Sequence, residues 1–277
     1  MNNFFSIFFV TGLLLFLSNC GSKQEQTDIV ANNMTHSYFH WEDDFSVEEK
    51  EMLTHWVGII YFNTTRTLGD YNFDIHFYMH RSESNNSPVP WAHTIRDTIQ
   101  GVAFHVSPSF PIDTFLNDWT AQHEISHLST PFFGKEHSWF AEGYATFMQY
   151  QVMSTQGVYT EEYIEKRYTT RIGECKNPYQ STSTLPEVSD SLRSIYNYAD
   201  YYWAGTSYFY KLDKQLENQH DKRLTEIMQV YGECCRQDYD NPLHFVAQLD
   251  AIIGDTLAAS LYDDYTTKPA YLLFEDF

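Results

Sequence analysis

From Phe73 to His80 the chain alternates, with Phe73, Ile75, Phe77 and Met79 apolar and Asp74, His76, Tyr78 and His80 between them. A period of two predicts a half-buried strand whose histidines face solvent. His76 and His80 would stand about 13 Å apart on it, too far to share one ion. After the loop "RSESNNSPVP", the runs "AHTIRDTI" and "GVAFHVSP" predict two more strands. Upstream, "SVEEKEMLTHWVGIIYFNTTRTLG" starts with a Ser cap, has Glu in its first turn and stops at Gly69, which predicts a helix. From Pro111 onward the apolar spacing is helical almost to the end, broken at Gly157 and through "KNPYQSTSTLPEVSDS". One helix is expected from about Asp113 to Leu128. Another covers "NPLHFVAQLDAIIG", with Pro in its first turn and Gly just past its end. A small sheet followed by a helical lobe is an α+β arrangement.

The N-terminus changes the setting. Residues 1–19 carry no charge and are mostly apolar, and Cys20 follows at once in "LFLSNCGSK". That order predicts a lipoprotein signal over 1–19, cleaved before Cys20, with a lipid on the Cys20 thiol. An uncleaved transmembrane anchor is the other reading, and both put the remainder outside the cytoplasm. The first reading implies a bacterial cell envelope, with the protein lipid-anchored and facing periplasm or exterior. Residues 20–38 are polar and aperiodic, a flexible tether to one domain over 39–277. The 21 Tyr, 21 Phe and 6 Trp supply a sizeable core. A net charge of −20 argues against nucleic acid and anionic membrane surfaces as electrostatic partners. Adjacent cysteines seldom bridge each other, so Cys175 is expected to pair with Cys234 or Cys235, leaving one thiol free.

Candidate chemistry sits in "AQHEISHLST". His123 and His127 are four apart on a helix, about 40° from each other around its axis, so both rings reach one ion. Glu124 lies beside them, free to touch a water on that ion. The same stripe continues through Phe115 and Trp119, while Ala121, Ile125 and Leu128 make the opposite side apolar too. A helix apolar on both sides is central, and two histidines there need a purpose. The metzincin spacing fails, because positions 130 and 133 are Thr130 and Phe133. A third ligand is available in "SWFAEGYATF", where Glu142 stands in a strongly apolar helix and would be costly to bury unpaired. Gly143 beside it would let that helix pack closely on the first. Thr146, one turn on, is a candidate partner for a ligand. His105 and His137 are expected to be structural and loop residues.

His123-Glu124-Ile125-Ser126-His127 followed by Trp139-Phe140-Ala141-Glu142-Gly143 resembles the HExxH…(W/L)xxEG signature of gluzincin zinc peptidases. The nearest likeness is the thermolysin-like, two-lobed catalytic domain of the aminopeptidase N and glycyl aminopeptidase types. "YYWAGTSYFYKLDKQL" resembles their Y-x-x-G…L-D segment. The resemblance implies one Zn2+ per chain held by His123, His127 and Glu142, Glu124 as general base, and a tyrosine that stabilises the oxyanion. By the match to Gly205 that tyrosine is Tyr202, with Tyr201 the alternative; Gly205, Phe209, Leu212 and Leu216 form a packing face after it. The implied substrate is a peptide or protein. Two departures bear on the activity. The large β domain of those aminopeptidases has no room in this chain. The strand expected over the site, "IQGVAFHV", also lacks the acid that holds a free amine. Aminopeptidase and endopeptidase action therefore both stay open. A lipid-anchored, non-catalytic protein that keeps the fold to bind peptide or for structure is the alternative from another class.

Overall fold

The computed structural model describes residues 36–96 and 98–277. The signal segment, Cys20 and most of the tether lie outside them. Ser37 and Tyr38, expected at the tether's end, stand in a strand, β1 (Ser37–Trp41). Helix α1 (Val47–Leu68) starts where Ser46 and Glu49 cap each other's backbone and stops at Gly69, whose φ of 89° suits glycine. Strands β2 (Ile75–Arg81), β3 (Trp91–Arg96) and β4 (Gln100–Val106) complete a sheet of order β1-β2-β4-β3. β1 and β4 run parallel to β2, and β3 is antiparallel to β4. β3 is therefore an edge strand and β4 an interior one. This corrects the expectation that "IQGVAFHV" borders the site: a strand paired on both sides offers no free backbone to a ligand.

The expected helix over Asp113–Leu128 is two helices, α2 (Ile112–Asn117) and α3 (Thr120–His127). The break falls at Asp118, whose backbone is extended and whose carboxylate accepts the Thr120 amide at 2.9 Å. A short polar side chain that satisfies a helix-start amide competes well with continuing the helix. Helices α4 (Ser138–Thr155), α5 (Glu161–Cys175), α6 (Leu185–Ser194), α7 (Tyr198–His220), α8 (Leu224–Cys234), α9 (Pro242–Ile253) and α10 (Leu257–Thr267) form the helical lobe. α6 occupies half of the stretch expected to be a loop. Thr184 and Glu187 cap it, and its proline sits in the first turn, where no backbone donor is lost.

Two hydrophobic cores result. One lies between the sheet and its helices: Ile75, Phe77, Met79, Val102 and Phe104 meet Trp56, Val57 and Ile60 of α1 and Ala121, Ile125 and Leu128 of α3. The other fills the helical lobe around Phe140, Tyr144, Met148, Tyr208, Phe209 and Leu212. α3 belongs to the first and α4 to the second, and the two helices pack on each other at the seam.

The cysteine expectation is overturned. Cys234 and Cys235 are bonded to each other, and Cys175 is free and buried. Cys175 ends α5 inside the helical core, where its thiol donates to the Ile172 carbonyl at 3.2 Å. The adjacent pair closes α8 just before Arg236, which lies over Phe73 beside the sheet. Tertiary packing puts the pair and Cys175 in different places, and no sequence spacing reveals that.

Candidate metal centre

Every residue from Thr120 to Thr130 is buried except Glu124, which is half-buried. The two histidines of α3 turn towards α4, and Glu142, in that helix's second turn, turns towards them. Glu142 Oε2 lies 3.1 Å from His123 Nε2 and 3.6 Å from His127 Nε2. All three candidate ligand atoms fall within 4.8 Å of one another, the one such group of His, Cys, Asp and Glu among the described residues. Ligands on a tetrahedral zinc with bonds of about 2.0–2.1 Å stand about 3.3 Å apart. The donor set and its spacing fit that ion.

Gln149 accepts the proton on His123 Nδ1 at 2.8 Å, which leaves Nε2 with its lone pair towards the cluster. Thr146, the candidate for such a role by its spacing from Glu142, does not fill it: its hydroxyl has no hydrogen-bond partner. Gln149 was missed although a signal existed. It stands seven residues after Glu142, within about 20° of the same direction around the helix.

α3 is short, and side chains fix it at its C-terminal end. The Arg96 guanidinium donates to the His127 carbonyl and, at 2.9 Å, to that of Thr130; Arg236 donates to Leu128 at 2.8 Å. Tyr71 donates to the Ile125 carbonyl at 2.8 Å. Half-buried cations at this end of a helix satisfy otherwise orphaned carbonyls and complement the helix dipole.

Gly143 packs on α7, which corrects the expectation that it meets the histidine helix. A Cβ on Gly143 would lie 2.2 Å from the Gly205 carbonyl carbon, and one on Gly205 2.1 Å from the Trp139 oxygen. Backbones so close require glycine on both sides. Because Gly143 follows Glu142 and Gly205 lies three residues after Tyr202, the crossing carries Tyr202 to the cluster. Its ring stacks on His123 with centroids 5.7 Å apart, while Tyr201 is buried in the helical core. Gly205, Phe209, Leu212 and Leu216 are buried as the helical spacing requires.

The electrostatics are those of a secluded, acid-rich seam. Burial pushes the Glu142 carboxyl up, but the charges and hydrogen bonds of His127 and His123 outweigh it and hold it well below the carboxylate range. Burial also raises Glu124, against the pull of His123 and His127. The Tyr202 phenol is pushed far up by burial and by the carboxylates of Glu142 and Glu124, so it is a proton donor at any physiological pH.

A cleft opens over the cluster. Glu124, His127, Glu142 and Tyr202 line it together with Ala92, Thr94 and Arg96 of β3 and Phe133. A second cavity, which shares Ala92, Glu124 and Tyr202 with the first, touches Asp118, Trp119 and His123. β3 spans this opening with its unpaired edge, and its residues, "WAHTIR", include no acid. His105 lies outside the site, on the sheet's far face, stacked on His80 at 4.7 Å and packed against Trp91 at 4.6 Å. His76 is also there, 2.8 Å from His40. His137 lies in a one-turn helix (Lys135–His137) just ahead of α4.

No protein-family model matches the sequence, and no curated protein matches it. Among solved structures, an M1 zinc metallopeptidase from Deinococcus radiodurans is similar, with a TM-score of 0.50 at 10% identity. The likeness covers 83% of this chain and 47% of that one, so the chain spans about half the length of the enzyme it matches. The small mixed sheet followed by a mainly helical lobe is thus a fold shared with part of that zinc metallopeptidase. A His–His–Glu group consistent with a gluzincin zinc site lies at its seam.

Proposed function

We propose that this protein is a zinc-dependent peptide hydrolase of the gluzincin kind. One observation carries the reading: two imidazoles from α3 and a carboxylate from α4 converge at metal-ligand spacing, with Glu124 the one incompletely buried residue of the histidine segment. His123, His127 and Glu142 would hold the ion and leave a fourth position open. An ion held there would supply Lewis acidity for hydrolysis. Glu124 would accept the proton of the attacking water and deliver it to the leaving amine. Tyr202 donates a hydrogen bond to the developing oxyanion, where a single donor contributes roughly 3–4 kcal/mol. The open edge of β3 would bind the substrate backbone as an added strand. Because β3 lacks a carboxylate for a free amine, internal cleavage is as well supported as removal of N-terminal residues. The N-terminal signal and Cys20 support a lipid-anchored envelope protein acting on peptides outside the cytoplasm.

The test is a mixed peptide library incubated with the zinc-loaded protein, with and without a chelator. Chelator-sensitive cleavage is expected, and the cut positions separate exo- from endopeptidase action. Glu124→Gln should keep stoichiometric zinc by elemental analysis while hydrolysis falls by orders of magnitude. Turnover at the unmodified rate in that variant would end the assignment. Peptide binding without any cleavage would favour the non-catalytic alternative.

A further inference from the structure

Next to the candidate metal centre is a pocket of about 330 Å3 walled by Trp119, Tyr150, Tyr198, Tyr202 and Trp203, with Arg167 of α5 beside them. It reaches to within one side chain of the ligands. Trp119 meets the His123 ring edge-on at 5.4 Å, and Tyr202 stacks on the same ring at 5.7 Å. Two polar groups that line this pocket have donors without a protein partner. Thr146 is 4% exposed, lines the pocket, and its hydroxyl has no hydrogen-bond partner. Arg167 uses Nε on the Tyr150 hydroxyl at 3.2 Å and lies over Trp203 at 5.9 Å. Among the described residues no carboxylate pairs with it, as is also true of Arg66, Arg96 and Arg193, while Arg81, Arg171, Arg223 and Arg236 each hold one. With 37 acidic side chains against 17 basic ones, partners are abundant in this chain. A guanidinium held by a tyrosine and an indole, with its outer donors uncommitted, matches a carboxylate in geometry and charge. Flat aromatic walls supply apolar contact for the rest of the residue that bears it.

We propose that this pocket selects the substrate, admitting a residue that flanks the scissile bond and binding its carboxylate to Arg167. The proposal rests on the peptide-hydrolase reading. The carboxylate has two possible sources, an Asp or Glu side chain or the C-terminus of a short peptide.

Two matched comparisons separate the sources. Peptides carrying Glu or Gln beside the cut report on the side chain, and peptides with a free or amidated C-terminus one residue beyond the cut report on the terminus. The zinc-loaded protein should favour the carboxylate member of one pair by roughly ten- to a hundred-fold in kcat/KM. That ratio should fall to near one in Arg167→Gln and partly recover in Arg167→Lys, which keeps charge without the fork. Equal rates within both pairs in the unmodified protein would overturn the proposal and leave the hydrolase reading standing. The same peptides are titrated calorimetrically into zinc-loaded Glu124→Gln, with and without Arg167→Gln, so the pocket is also read without turnover. If nothing is hydrolysed yet a carboxylate preference in binding depends on Arg167, the hydrolase reading fails and the pocket's selectivity holds. Binding indifferent to the carboxylate would sink the pocket's role by itself.

Discussion

His123 can ligate through Nε2 only if its other nitrogen carries the proton, and Gln149 settles that from 2.8 Å away. Replacing Gln149 by Leu keeps the side chain's bulk but removes the acceptor, so the ring is free to turn and to change tautomer. Zinc affinity should weaken roughly ten- to a hundred-fold, as competition with a chromogenic chelator would measure. An unchanged affinity would mean that packing alone orients the ring. The local part of the site was legible because its spacing is local: His123, Glu124 and His127 share one turn, and helix geometry dictates where their side chains go. Gln149 was harder to see, since the partner of His123 lies in another helix and Thr146 was nearer in sequence to Glu142. Thr146 faces the aromatic pocket instead.

At the scale of elements, the crossing of α4 and α7 decides where Tyr202 stands. The methyl group of Gly205→Ala would meet the Trp139 oxygen at 2.1 Å, so the helices must part. Overpacking of this kind costs about 1–3 kcal/mol, and two backbones in contact have little room to yield. Chemical denaturation should register a loss at the upper end of that range or beyond, and hydrolysis should fall by more than the folded fraction does, because Tyr202 moves away from the cluster. Full stability and turnover would show that the crossing is not what positions it. Caps made elements readable in the same way. Ser46 with Glu49 opens α1, and Gly254 closes α9 with φ at 81°. Where the expected helix bounds failed, a local side chain had altered the outcome. Asp118 ended one helix early, and Thr184 with Glu187 began another inside an apparent loop.

Across the whole molecule, the candidate ligands belong to different cores, two to the sheet-bearing side through α3 and one to the helical lobe through α4. An ion held by all three ties the halves together and stabilises the folded state by mass action. Zinc at a hundred times its Kd adds about 2.7 kcal/mol. For a chain of this size that corresponds to a melting temperature roughly 5–10 °C higher, which a chelator should abolish in a thermal melt. A melt indifferent to zinc would mean the cluster does not bind it in the folded protein. Periodicity and caps by themselves determined the α+β order, the edges of α1 and α9 and the presence of a paired-imidazole segment with a nearby acid. These follow from backbone geometry and nearest neighbours, which the chain carries locally. Only the tertiary structure decided that β3 is an edge strand over the cleft, that Cys234 bonds to Cys235, that Gln149 orients His123 and that Arg167 shares a pocket with Tyr202. Those pairings depend on which distant surfaces pack together, and that is set by the burial of whole helix and sheet faces, not by the spacing of any few residues.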